Sequence, residues 1–242
     1  MTLRKSWLTI AIPTLNRWEF LKESLPELLD RPEVAEVILC DENGNDFERI
    51  KHSSFAQHSK LRIVVNERIL GIYENKRKCI SLAKTDWVAV LDSDNFFSEE
   101  WFDLLTENTD INNLKTIYAS AEAKFVNYKD TSVKQYTTEY SGLEVTRKTW
   151  NSLFQQPKWN FLLNEGNWVV PRNVLDALPE SVKSSDLLAA DAIYMLKCFV
   201  AAGYTVKYVK GLTYLHIVHD DSTWLKTDRE STRILNGTNW LL

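Results

Sequence analysis

The chain has 242 residues, of which 44% are hydrophobic and 26% charged, with a formal net charge of −4. That balance is ordinary for a globular protein with a sizeable core, and the acidic surplus argues against a nucleic-acid binder, which carries a basic one. No apolar run reaches the roughly 18 uninterrupted residues of a membrane helix, and residues 1–7 lack the apolar stretch of a signal peptide, so a soluble, cytoplasmic chain without an integral membrane segment is expected.

Residues 8–12 form a β-rich apolar run stopped by Pro13. Over 17–29, Trp18, Leu21, Leu25, Leu28 and Leu29 recur at helical spacing, with Pro26 placed to kink or divide the helix. Residues 34–40 read as a second strand that runs into the turn cluster Asp41-Glu42-Asn43-Gly44-Asn45-Asp46. A third strand is expected over 61–65. A helix over 72–83 turns Ile72, Cys79, Ile80 and Ala83 inward. Residues 87–91 are almost all apolar, as in a strand covered on both faces. Strands separated by helices of this length predict an α/β fold with a Rossmann-like, mainly parallel sheet flanked by helices. In such sheets ligands bind beyond the carboxyl ends of the strands, where Asp41, Asp92 and Asp94 would converge.

In the second half, 116–125 reads as a strand and 128–143 as a long loop or short hairpin. Residues 186–202 read as one helix stopped by Gly203. Short strands are expected at 205–209 and 213–216, with no assignment for the tail. No repeat, linker or low-complexity segment divides the chain, so one domain over 1–242 is expected. Cys40, Cys79 and Cys198 are odd in number and lie in apolar or helix-like surroundings, which reads as buried free thiols. Their spacing does not suggest structural zinc.

Asp92-Ser93-Asp94 carries the clearest chemistry. An isolated pair of this kind is usually a polar turn. Directly after a buried strand, its carboxylates can hold a hard cation, Mn2+ or Mg2+, while diphosphate oxygens complete the shell. No Gly-rich phosphate loop is present to handle phosphate instead. A second candidate is Asp191, one charge among the apolar residues of 187–196. Desolvation raises such a carboxyl's pKa and makes it a better base near neutrality; the alternative is a buried structural Asp.

Several segments then follow in a fixed order. They are Ile12-Pro13-Thr14-Leu15-Asn16-Arg17, the cluster 40–46, residues 66–71, Glu74-Asn75-Lys76-Arg77, Ala83, and Val90-Leu91-Asp92-Ser93-Asp94-Asn95. In this order and at these spacings the chain resembles the family 2 glycosyltransferases, which have the GT-A fold. The resemblance covers residues 8–101 well and the rest loosely. It implies that Pro13, Thr14, Asn16 and Asp41 line the base and ribose of a nucleotide-sugar, a UDP-sugar being favoured. It also implies that Asn75, Lys76 and Arg77 face the nucleotide, that Asp92 and Ser93 reach the ribose side, and that Asp94 binds the metal. A solvated helix face is the alternative for residues 76–78. Residues 1–100 would form the donor half and 101–242 the acceptor half.

Two departures stand out: Asp41-Glu42-Asn43-Gly44 replaces two acids before a Gly-Ser turn, and Asn95 stands where a third acid is common. In the family an acid of a Glu-Asp pair, before a helix followed by Ala-Gly-Tyr, deprotonates the acceptor. Ala190-Asp191 and Ala202-Gly203-Tyr204 fit that frame, with Ala in place of the Glu. Asp186 is the fallback, although an N-cap role also explains it. His52 and His58 look incidental, whereas His219 would complete the metal shell, against the more common structural role of a lone histidine. Nine tryptophans are present. Trp150, Trp159 and Trp168 fall in the acceptor half, and Trp168, after Glu165-Gly166-Asn167, is the acceptor-binding candidate. Core packing explains most of the others.

The expected reaction is an inverting single displacement from a nucleotide-sugar to a glycan or glycoconjugate hydroxyl. A sugar nucleotidyltransferase would need a Gly-rich basic N-terminal loop, which is absent. A catalytically inactive nucleotide-sugar or glycan-binding module is the remaining alternative.

Overall fold

The computed structural model describes residues 6–156 and 166–242. Three parallel strands, β1 (Leu8–Thr14), β2 (Val34–Asp41) and β3 (Leu61–Val65), are joined through helices α1 (Trp18–Asp30) and α2 (Asn45–Lys51). Helix α3 (Ile72–Leu82) then leads to β4 (Trp87–Val90), which pairs parallel to β1 on its other side. Register places Thr14 opposite Asp41. The carboxyl ends of β1, β2 and β4 therefore open on one edge.

β5 (Phe96–Phe97), α4 (Trp101–Asn108), β6 (Thr116–Asn127), β7 (Val133–Thr137), β8 (Glu144–Val145) and α5 (Arg147–Phe154) follow. β9 (Trp168–Pro171) inserts antiparallel between β4 and β6. A short helix α6 (Ser184–Leu187) precedes α7 (Asp191–Ala201), β10 (Thr205–Val218) and α8 (Thr223–Gly237). Among the described residues the sheet runs β3-β2-β1-β4-β9-β6-β10-β5, with β7 on β6 and β8 on β10. Side chains alternate across it. Ile10 and Ile12 pack with Leu21, Leu25 and Phe102 on one face, while Ala11 packs with Tyr73, Ile80 and Ile193 on the other. Cys40 and Cys79 are buried free thiols and Cys198 is half-buried. No helix among the described residues is long and apolar enough to cross a membrane.

The structure refines or corrects the sequence expectations in four places. Of the two alternatives for Pro26, division of α1 does not occur: the residue lies on the exposed face, where water can take the carbonyl left without its N–H donor, while Leu25, Leu28 and Leu29 anchor the other side. The segment 128–143 contains β7, so the hairpin alternative holds. The two short strands after Gly203 are one strand, β10, with a register shift between Val209 and Thr213 that Gly211 accommodates at φ +81°. The helix expected over 186–202 is broken at Leu188, which sits at φ +48° and ψ −125°. That conformation is strained for a leucine. It makes Asp191 the first residue of an 11-residue helix instead of a mid-helix residue.

Candidate active site

The turn after β4 is fixed from three directions. Asn167 Oδ1 accepts from the Asp92 backbone N–H at 3.1 Å, and Asn95 N–H closes the turn on the Asp92 carbonyl at 2.9 Å. Asn95 Oδ1 in turn accepts from Ile217 N–H of β10 at 3.3 Å.

Beneath this turn lies Lys76 of α3, 3% exposed. Its Nζ is 2.9 Å from Asp92 Oδ1 and donates to Asp191 Oδ2 at 3.0 Å, although Asp191 lies 115 positions further along the chain. Burial lowers the Lys76 pKa, but the two carboxylates outweigh burial and the amine stays charged. For Asp191, 4% exposed, burial dominates. Together with the charge of Asp92, it raises the carboxyl above the ordinary range despite the opposing pull of Lys76. The backbone break at Leu188 sets Asp191 at the amino end of α7, aimed at this amine.

Asp94 points to a different partner set. Its Oδ2 is 2.9 Å from His219 Nε2 and 3.4 Å from Arg17 Nε. Burial pushes the Asp94 pKa up, but the His219 hydrogen bond and the Arg17 charge hold it below the ordinary carboxylate value. His219 packs against Phe20 at 5.0 Å between ring centroids, and Phe20 against Tyr128 at 4.6 Å. Asp221 N–H donates to His219 Nδ1 at 3.2 Å and Arg17 Nη2 donates to the Asp221 carbonyl at 2.9 Å, so one turn is clasped from both sides.

Asp94 Oδ2 and His219 Nε2 are 2.9 Å apart, a hydrogen bond, and because Nδ1 accepts from Asp221 N–H the ring proton lies on Nε2. A cation held by both atoms would take the place of that proton, with the Asp221 turn shifted so that Nδ1 carries it. Among the described residues no group of three or more His, Cys, Asp or Glu side chains could hold a metal. A cation there would need diphosphate oxygens and water for its remaining positions.

The side chains of other expected site residues turn to partners within the fold. Asp41 is fully buried, its oxygens accepting from Asn43 N–H at 3.2 Å and Phe47 N–H at 2.8 Å to hold the start of α2. Thr14, 2% exposed, donates its hydroxyl to Asp46 Oδ2 at 2.6 Å. Asn75 is buried and donates to the Cys40 carbonyl at 2.9 Å. Arg77 turns to the opposite side of α3, pairing with Glu180 at 2.5 Å and with the Leu178 carbonyl at 3.2 Å. In each case a nearer internal partner takes the polar group that was expected to meet the nucleotide.

Lys76 is likewise beneath the site and does not project from it. Pro13 and Ser93 remain half-buried at the open edge. Asn16 is exposed there, at φ +57°, accepting from Asn43 Nδ2 and Asn45 Nδ2. Trp168 does not offer a face to an acceptor: it is 1% exposed, with its ring edge-on to Phe199 at 5.8 Å. Trp150 is also core, its indole N–H donating to the Trp240 carbonyl at 2.7 Å. Asp186 is exposed and accepts from Lys183 N–H at 3.1 Å, away from the buried amine. Trp159 and Glu165 lie outside the described residues.

Two residues gain importance that their sequence context did not assign. Arg17 reaches Asp94 from the start of α1. Glu42, 5% exposed, accepts from Asn66 Nδ2 at 3.1 Å, Leu70 N–H at 2.6 Å and Gly71 N–H at 2.8 Å. A second acid directly after Asp41 was the available signal for Glu42. Arg17 carried none beyond its place in the motif.

The model of the Glycosyl transferase family 2 matches residues 9–167. The chain belongs to this family. Among curated proteins none matches the sequence. Of solved structures, the S. aureus TarS 1-349 complex with UDP-GlcNAc is similar at 14% identity and a TM-score of 0.61, covering 94% of this chain and 64% of that one. A further S. aureus TarS structure matches at 17% identity and a TM-score of 0.61, over 94% of this chain and 38% of that chain. GalNAc-T7 with UDP, GalNAc and Mn2+ matches at 14% identity and a TM-score of 0.67, over 98% and 48%. At these identities the likeness shows the fold, which is GT-A. The family 2 chain spans less than two thirds of the length of each of these structures. The family match ends before Asp191 and His219.

Proposed function

We propose that this chain is a metal-dependent, inverting glycosyltransferase that moves a sugar from a nucleotide-sugar to a glycan or glycoconjugate hydroxyl. Residues 1–100 form its donor half and 101–242 its acceptor half. One observation carries the reading: Asp92 of the donor-side turn and Asp191 of the acceptor-side helix meet on one buried amine, beside the hydrogen-bonded Asp94–His219 pair. The UDP in the TarS and GalNAc-T7 complexes favours a UDP-sugar donor.

Asp191 Oδ acts as the base. Its carboxylate takes the proton of an acceptor hydroxyl, whose oxygen attacks the anomeric carbon as the bond to diphosphate breaks on the opposite face. A single displacement of this kind inverts the configuration. Asp94 and His219 would hold Mn2+ or Mg2+, which supplies neutralisation of the charge growing on the leaving diphosphate. Arg17 adds a fixed positive charge at the same place. Pro13, Asn16 and Ser93 line the open edge where base and ribose would lie.

The test is a screen of UDP-, GDP- and dTDP-sugars, with and without Mn2+, for release of nucleoside diphosphate. Slow hydrolysis of a UDP-sugar that requires Mn2+ is the expected result. Donor binding without release under any condition would favour an inactive binding module.

A further inference from the structure

Lys76 was expected to face the nucleotide, but among the described residues its amine is enclosed. Its amine is bounded by Asp92 Oδ1 at 2.9 Å and Asp191 Oδ2 at 3.0 Å. On another side a Cβ built on Gly166 would meet the same Nζ at 2.9 Å and the Ala192 Cβ at 3.4 Å, so the backbone at Gly166 closes over the amine. An ammonium buried this deeply persists only when opposite charge is fixed around it. The two carboxylates it binds come from opposite functional halves: one from the turn after β4, the other from the first residue of α7.

The geometry points to Lys76 as a positioning residue that holds Asp191 ionised and in register with the donor-side turn, and not as a contact to the nucleotide phosphates. This inference rests on the reading of Asp191 as the base. Among the described residues, both charged groups that face Asp191 belong to the cluster: Lys76 from α3 favours its ionised form, and Asp92 from the β4 turn opposes it. Without the ammonium, burial and Asp92 act unopposed, and Asp191 holds its proton to higher pH. The bond also fixes where the carboxylate sits, and a displacement of about 1 Å at a reacting group costs on the order of 100-fold in rate. Gly166 follows from the same packing. Any side chain there must push the amine from between its two carboxylates.

The experiment compares Lys76→Met, Lys76→Arg, Asp191→Asn and the double variant Lys76→Met/Asp191→Asn. UDP affinity, kcat, donor KM and the pH–rate profile are measured for each, with the Asp191 carboxyl titrated by 13C NMR. Lys76→Met should lower kcat by about 100-fold with little change in UDP affinity. The acid limb of its profile and the NMR titration of Asp191 should both move to higher pH. Lys76→Arg should recover part of the rate, and the double variant should be no slower than Asp191→Asn alone.

Loss of UDP affinity in parallel with kcat would overturn the proposal in favour of a phosphate contact. So would an Asp191 titration unchanged in Lys76→Met. If Lys76→Met does not fold, Gly166→Ala keeps every charge and should displace the amine, with the same upward movement of the Asp191 titration; no movement there overturns the proposal. A wild-type chain that transfers no sugar would refute the transferase reading, while the NMR titration still decides what Lys76 does to Asp191.

Discussion

Replacing Glu42 by Gln is expected to destabilise the fold by about 1.5–3 kcal/mol, the range for a hydrogen bond to a buried charged group. Glu42 receives three donors and offers none: Oε2 takes Asn66 Nδ2 and Leu70 N–H, and Oε1 takes Gly71 N–H. A glutamine of the same shape must turn its NH2 towards one side or the other. With the amide nitrogen in the place of Oε2 it opposes two donors, and in the place of Oε1 it opposes one. The second orientation costs less, so at least one buried N–H loses its acceptor. The loop held this way delivers Gly71, which stands before α3 at φ +78°. α3 carries Lys76, so the damage should extend to the site. For an m-value near 2 kcal/mol/M, the urea midpoint should fall by about 1 M with m unchanged. A loss under about 0.5 kcal/mol, the size of an ordinary surface substitution, would refute the claim that these bonds organise the loop.

Four further outcomes follow from the same geometry. Asp191→Asn should lower kcat by about 10²–10⁴-fold while nucleotide binding persists, since its remaining oxygen can still accept from Lys76. In the wild type, the carboxyl is raised by burial, so the rate should fall as pH drops through a limb lying above the ordinary aspartate range; a limb at or below that range would argue against Asp191 as the base. Asp94→Asn should reduce transfer by at least about 100-fold and remove any further effect of EDTA; full, chelator-sensitive activity would reassign the metal. Gly71→Ala should lower the thermal midpoint, because its φ is +78° and the new Cβ would lie 2.6 Å from Ser184 Cβ. Left-handed strain alone costs about 1–3 kcal/mol, and an unchanged melt would show that α3 and Ser184 can separate freely.

The first half of the fold was legible because its signals are local. Apolar runs at 8–12, 34–40, 61–65 and 87–91 became β1 to β4 to within two residues at either end, and the helical spacing after Ile72 became α3. The aspartates ending these strands reached one edge because parallel strands joined by helices all point the same way. The sequence was less informative where long-range packing decides. The helix break at Leu188 lies inside an apolar run whose spacing alone reads as continuous helix. Trp168 looked like a sugar platform, but whether an indole faces solvent or core depends on what α7 lays over β9.

The chain by itself therefore determined the succession of strands and helices up to β4 and marked Asp92, Asp94 and Asp191 as candidate site carboxylates, since turn chemistry and hydrophobic period act over a few residues. Only the tertiary structure decided who meets whom. Thr14, Asp41 and Asn75 turned to internal partners because a buried polar group must find a hydrogen bond wherever the fold offers one, while the half-exposed Arg77 paired with Glu180 and the Leu178 carbonyl. Lys76 was drawn under the site because two carboxylates from distant segments converge on its amine, a match of charge and position that no local pattern in the sequence encodes.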